Sequence, residues 1–438
     1  MLKKLLRHNT FWVMLITFVG MGLSLLVRAI LIPKRFDIGI TSDALITALK
    51  VVLLVDTVVR EGAKFSLVPL FITCEKEMTD TEYQRFTNSL LNFLLCIGLG
   101  IFILIELCAP WIVRALSSTI DAQKTTTLLR LCAPLIVFGC GSTVLGALLN
   151  SRQHFKTVAL RNALPAGVAA AVFLLLWSTE NLENWIAIAY TGGFVLYFGW
   201  LCIGMHRTGH RFQFEGISLG TLRSLKNTVT LPTLGFAVRQ VTNRLLVEVS
   251  LVSQLGSGAV TLYECAFRIF SALQTLIGIS IATTGLPDMA TQDVEDNQFK
   301  LRRTLNRNIA TAFCIALPVT LLLLLSHTKI VSLLYTGNKF DQTSIQQIAQ
   351  VLFWLSTGMI FSCLIPVLNA GLYAQKAYGL IFRNMVTMAI LNFALAYGFV
   401  KAWGLQGIAL AVSVTAVLAV VNLTYLLRKT GIVLLQRD

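Results

Sequence analysis

Apolar runs long enough to cross a bilayer recur along nearly the whole chain, near 11–32, 43–72, 88–109, 127–149, 158–178, 185–205, 228–252, 258–285, 307–327, 346–371, 380–401 and 404–427. A hydrocarbon layer about 30 Å thick takes roughly 20 apolar residues to cross as a helix. A lone strand would leave its backbone N–H and C=O groups without partners in lipid, so each run is expected to be helical. The pattern predicts an all-α polytopic membrane protein of about 12 transmembrane helices. Charge content agrees: 13% of the residues are charged, against roughly 25% in a soluble domain. The first run follows Met1-Leu2-Lys3-Lys4, as a signal peptide would. It is too long for one, lacks a small-residue cleavage site and carries Arg28 near its end, so it reads as a retained first helix.

A net charge of +15 would suggest nucleic acid in a soluble protein. Here Lys and Arg collect in alternate connections: Lys3, Lys4 and Arg7; Arg152, Lys156 and Arg161; Arg207, Arg211, Arg223 and Lys226; Lys300, Arg302, Arg303 and Arg307; Arg428, Lys429 and Arg437. The intervening connections hold few. The positive-inside rule then places both termini in the cytoplasm, and no nucleic-acid partner is expected.

The nine cysteines lie mostly within apolar runs and form no CxxC pair, which suits small buried residues. The five histidines show no metal-ligand spacing. With no glycine-rich phosphate loop, HExxH or GxSxG, the sequence offers no catalytic residue, metal or cofactor, and the chain does not read as an enzyme.

The longest polar connection, about 206–227, separates an N-terminal lobe of six helices (1–205) from a C-terminal lobe of six (228–438). The lobes look weakly alike. Gly39-Ile40-Thr41-Ser42-Asp43-Ala44 leads into a helix ending near Val68-Pro69, and Gly256-Ser257-Gly258-Ala259 leads into one ending near Leu286-Pro287. Such parallel repeats mark transporters whose two bundles surround a central cavity.

A charge at mid-bilayer costs about 2.5–3.5 kcal/mol on insertion scales, so each needs a reason. The candidates are Arg28, Asp43, Lys50, Asp56, Arg60, Glu61, Lys64, Arg130, Arg239, Arg244, Glu248, Glu264 and Arg268, concentrated in the first, second, seventh and eighth runs. Many have a plain structural reading. Asp56, Arg60 and Lys64 follow at i, i+4 and i+8, while Arg244 with Glu248 and Glu264 with Arg268 are i, i+4 pairs able to neutralise themselves. Others, Glu106 among them, lie near helix ends and reach the interface. In the sequence no acid stands one turn from Arg28, and Arg268 lies deep in its run. Arginine offers planar, permanently charged donors that fit phosphate.

Several ordered blocks resemble the MurJ/MviN-type lipid II flippases of the multidrug/oligosaccharidyl-lipid/polysaccharide exporter superfamily. They are Val27-Arg28 through Ser42-Asp43-Ala44; Arg60-Glu61-Gly62-Ala63 and Val68-Pro69; Leu129-Arg130-Leu131-Cys132-Ala133-Pro134; Leu231-Pro232; Gly256-Ser257-Gly258; Ala266-Phe267-Arg268; Ala282-Thr283-Thr284-Gly285-Leu286-Pro287; Leu333-Leu334-Tyr335-Thr336-Gly337; and Gly371-Leu372-Tyr373-Ala374. The resemblance implies that Arg28 and Arg268 contact the substrate diphosphate and that Asp43 and Glu61 are cavity acids needed for activity. The chain departs from the family at Gly22 and at Asp56-Thr57, where Arg is common, and at Ala29, where Asp is common. Arg60 stands one turn on and reads as a replacement for the second-helix charge. Two further C-terminal helices of the family find no counterpart.

The expectation is a flippase in the bacterial inner membrane that moves lipid-linked peptidoglycan precursor (lipid II) by alternating access. Its partners would be that lipid-linked diphosphate, membrane lipids and a coupling ion or the membrane potential. The alternative is a flippase for another undecaprenyl-diphosphate-linked saccharide, such as an O-antigen or exopolysaccharide unit. A multidrug/cation antiporter is disfavoured because residues 11–32 hold no acid. A membrane scaffold would tolerate changes at Arg28 and Arg268.

Overall fold

The computed structural model describes residues 9–116, 121–216, 233–282, 298–335, 340–375 and 377–432. Outside them lie Leu231-Pro232, the stretch from Thr283 to Pro287, Thr336-Gly337 and the connection beyond Gly216; the side chain of Lys64 is likewise outside the description. Among the described residues every regular element is helical, and the protein is an all-α polytopic membrane protein. The chain divides into two compact units, Met1–Ala237 and Val238–Asp438.

In the first unit, α1 (Asn9–Leu25) passes through a π-helical stretch (Leu26–Leu31) into the short α2 (Ile32–Phe36). Next come α3 (Ile40–Glu77) and α4 (Asp80–Leu116). The latter opens with a capping box: Thr79 N–H donates to Glu82 Oε2 at 3.0 Å and Glu82 N–H to Thr79 Oγ1 at 3.4 Å. Asp121 caps α5 (Ala122–Cys132) by accepting from the Gln123 and Lys124 amides, each at 3.0 Å. After Pro134 the span resumes as α6 (Leu135–Ser151). Then follow α7 (Phe155–Ala159), α8 (Ala163–Leu175) and α9 (Leu182–Arg207). The core joins α3, α4, α6 and α9 around Phe71, Tyr83, Leu148 and Tyr197. Small residues set the helix spacing, as is usual in membranes. A Cβ at Gly193 of α9 would lie 2.4 Å from Pro165 Cα, and one at Gly20 of α1 would lie 2.7 Å from the Ala163 nitrogen.

The second unit holds a π-helical stretch at Val241–Leu251, then α10 (Ala259–Gln274) continuing through π-helical Thr275–Ile279. Gly256 and Gly258 before α10 both have positive φ, 121° and 86°; the tight turn needs residues without a Cβ penalty. Next are α11 (Gln298–Tyr335), α12 (Gln342–Thr357), α13 (Met359–Ala374) and α14 (Tyr378–Lys429). Asp341 caps α12 by accepting from Ser344 N–H at 3.0 Å and from the Thr343 hydroxyl. Those bonds, the side chains of Ser344 and Thr343 first, hold its carboxyl down at about 2.

Seven of these helices are long and apolar enough to cross a membrane outright. The remaining expected spans are present in altered form. Helix α3 carries too much charge for that criterion, and α8 is short. Helices α12 and α13 meet at a bend of 48° and are long and apolar enough only when taken together. Helix α14 is two spans folded back at Gly404, whose φ of 54° and ψ of −132° break the helix. The two runs expected at 380–401 and 404–427 flank that break.

Candidate functional site

Arg28 sits in the π-helical stretch Leu26–Leu31 and is 2% exposed, a full guanidinium inside a membrane helix. A π-turn shifts the side-chain register of a helix by inserting one residue, and such turns favour functional positions. Asp43 lies in the first turn of α3, also 2% exposed. Its amide donates to Gly39 O at 3.0 Å, and a carboxylate there faces the positive end of the helix dipole. Beside it, Ser42 donates to Asp37 O, and Lys124 Nζ donates to Thr41 Oγ1 at 3.0 Å while pairing with Glu183 at 2.7 Å. The opening turn of α3 is thus tied to α5 and α9. Two turns further, Lys50 is buried as well.

Halfway along α3 the structure corrects the sequence reading. Asp56 acts on Arg60 of its own helix only at longer range; its direct ion pair is with Arg161, which bonds it through Nη2. Arg161 stands in the turn between α7 and α8, and its guanidinium lies 6.0 Å from the Phe194 ring and 5.9 Å from the Tyr197 ring of α9. Gly139 of α6 makes the room, since a Cβ there would lie 2.5 Å from Asp56 Oδ1. Arg60 pairs instead with Glu61 at 2.9 Å, with side chains 32% and 22% exposed. The Glu61-Gly62 dipeptide has a steric basis too: a Cβ at Gly62 would lie 2.2 Å from Thr233 Oγ1. Arg28, Asp43, Arg60 and Glu61 therefore belong to the first unit, on two consecutive helical segments.

Arg268 belongs to the second unit. Its Nε donates to Glu264 at 2.5 Å, the i, i+4 pair read from the sequence, with the arginine 18% and the acid 1% exposed. The aromatic rings of Tyr263 and Phe267 stack at 5.7 Å on the same helix. Two turns past Arg268 the helix again becomes π-helical, at Thr275–Ile279, and Gln274 donates to Ser362 O of α13 at 3.1 Å. Arg244 and Glu248 lie within the other π-helical stretch. The three π-helical stretches among the described residues thus fall on helices carrying intramembrane charge. Pro33 follows the first of them by two residues, and its missing N–H is a local signal there; the other two contain no proline.

Sequence reasoning also missed the amides. Asn392 Nδ2 donates to Asn243 Oδ1 at 3.0 Å and its Oδ1 accepts from Thr415 Oγ1 at 3.2 Å; Asn422 donates to Asn384 at 2.8 Å. Neutral side chains carry no charge to flag them, though asparagine repeated within apolar runs was a usable signal. Glu106, by contrast, is part-exposed. It pairs with Arg130 at 3.5 Å, the side chains 32% and 48% exposed. Among the described residues no group of His, Cys, Asp and Glu could hold a metal ion.

Within each unit such guanidinium groups can hold an anion; among the described residues named above, none is a nucleophile poised beside a base. Comparison with known proteins bears on what that anion is. The family model described as lipid II flippase MurJ matches residues 32–437. The lipid II flippase MurJ of Burkholderia cenocepacia is 26% identical over 422 residues, covering 93% of this chain and 81% of the relative. A solved structure of lipid II flippase MurJ in an inward closed conformation superposes with a TM-score of 0.81 at 20% identity, covering 94% of this chain and 87% of that one. An inward-facing multidrug resistance MATE family transporter of the MOP superfamily also reaches 0.81, at 14% identity and 97% and 99% coverage, so the fold is shared across the superfamily. The match along nearly the whole length settles the family: the chain belongs to the lipid II flippase MurJ family.

Proposed function

We propose that this protein moves lipid II from the inner to the outer leaflet by alternating access. The observation that carries the reading is the family match over residues 32–437, joined by arginines kept inside membrane helices at Arg28 and Arg268. As a family member it is a multi-pass inner-membrane protein and a transporter, not an enzyme. Arg28 and Arg268 take the diphosphate, replacing its hydration with bidentate donors. Asp43 and Glu61 tune that charge, and Arg60, held by Glu61, is a further donor. The prenyl tail stays in lipid throughout. A coupling ion or the membrane potential supplies the direction. The connection at 206–227 joins the lobes 1–205 and 228–438, and both termini face the cytoplasm, in keeping with the placement of lysine and arginine.

The test is complementation of a bacterium depleted of its own lipid II flippase. The native chain is expected to restore growth, and Arg28→Ala/Arg268→Ala, inserted at the same level, is expected to fail. Failure of a well-inserted native chain would redirect the reading to another undecaprenyl-diphosphate-linked saccharide. Rescue by the double variant would remove the arginine site.

A further inference from the structure

Phe214 is 89% exposed, more than any other large apolar side chain described, yet the backbone around it is pinned. Residues 209–216 run as an extended strap from the end of α9 across the first turns of α4. Asn88 Nδ2 donates to Arg211 O at 2.8 Å, Asn92 Nδ2 to Glu215 O at 3.1 Å and to Gln213 O at 3.4 Å, and Ser89 Oγ to Gly216 O at 2.8 Å. Asn88 Oδ1 also meets His210 Nε2 at 3.0 Å. Burial first, then the Arg152 guanidinium, lowers the pKa of His210. Acceptors at 211, 213 and 215 show period-two backbone with one edge on α4, so His210, Phe212 and Phe214 share a face. The rings of His210 and Phe212 meet edge-on at 5.2 Å.

The strap lies on a particular face of α4. Asn88, Ser89 and Asn92 begin a stripe that continues, in steps of three and four, through Cys96, Leu99, Ile103 and Leu107. The last three are 47%, 48% and 72% exposed. On a membrane-spanning helix that stripe faces acyl chains. Its polar end would leave amides bare beside lipid; the strap's carbonyls satisfy them, and Phe212 and Phe214 restore an apolar outer surface. Exposed Arg85, Arg207 and Arg211 surround the same end, where their heads can reach phosphates.

We propose that residues 209–216 form an interfacial lipid anchor: Phe212 and Phe214 insert among the upper acyl chains of the adjoining leaflet, and Arg85, Arg207 and Arg211 contact phospholipid phosphates. The occupant of this face is the bilayer surface. It follows that the connection after Gly216 starts from a point fixed in the membrane plane.

The experiment uses the full chain with Phe214→Trp, in nanodiscs whose phospholipid carries bromine near the top of the acyl chains. The parent, with its seven native tryptophans, is measured alongside so that the difference isolates the added indole. Its emission is expected to be lost to the brominated lipid and to resist aqueous iodide. Phe212→Trp, measured the same way, is expected to agree and stands in if the first variant does not insert. Quenching by iodide and not by bromine would put the strap in water. Quenching by neither would mean that protein covers it. Either result overturns the anchor, and neither touches the transport reading.

Discussion

The first unit buries full charges: Arg28, Asp43, Lys50, Asp56, Arg161 and Glu183 are all at 9% exposure or below. Among the described residues of the second unit, the charges buried to that degree are Glu248 and Glu264, and much of the remaining buried polarity is Asn308, Asn369, Asn384 and Asn392. The units also pair their groups differently. In the first, Asp56 of α3 meets Arg161 from the turn before α8, and Lys124 of α5 meets Glu183 of α9. In the second, Glu264 and Arg268 pair within one helix, and Asn392 with Asn243 and Asn422 with Asn384 are neutral amide pairs that bond across the bundle. A buried charge loses its hydration and depends on its counter-charge, whereas two amides satisfy each other with no net charge. The Asp56–Arg161 contact is therefore electrostatically committed, and the amide contacts of the second unit are less so.

The largest expected effect follows from that difference. Arg161→Ala strands Asp56 in an apolar site and should cost about 3–5 kcal/mol, the range for breaking a buried pair by removing one partner. Replacing both, Asp56→Leu with Arg161→Met, removes the stranded charge and should recover most of the loss. Unfolding free energies in mixed micelles would measure both. If the single variant is as stable as the parent, the contrast between the units fails.

In the second unit Asn392→Ala removes the bonds to Asn243 and Thr415. Hydrogen bonds between membrane helices average about 0.6 kcal/mol, so the loss should stay near 1 kcal/mol or below, by the same measurement. A loss as large as that at Arg161 would mean that the amides carry a load the neutral-pair picture does not assign them.

What the sequence made legible divides along the same line. Apolar run length is a local property, so the spans could be placed, down to the break between 401 and 404 that Gly404 makes. The Glu264–Arg268 pair was legible because i, i+4 spacing needs only a helix. The partner of Asp56 was not, because Arg161 lies more than a hundred residues away and arrives only once α7, α8 and α9 have packed. The π-helical register at Arg28 was not legible either. Pro33, five residues on, lacks the N–H that would close an α-helical turn there, but a proline by itself does not say which register the helix takes.

The smallest expected effect sharpens the comparison from within the first unit. Glu106 and Arg130 form an ion pair just as Asp56 and Arg161 do, but at 3.5 Å and with 32% and 48% of their side chains exposed. Water or headgroups screen both partners, and holding two long side chains in one geometry offsets what attraction remains. Glu106→Gln should therefore change unfolding free energy by no more than about 0.5 kcal/mol and leave complementation intact. Charge pairing alone would predict similar losses at Glu106 and Asp56. Burial predicts a wide gap, and a strong defect at Glu106 would show that this end of α4 lies against the transport path and not at the membrane interface.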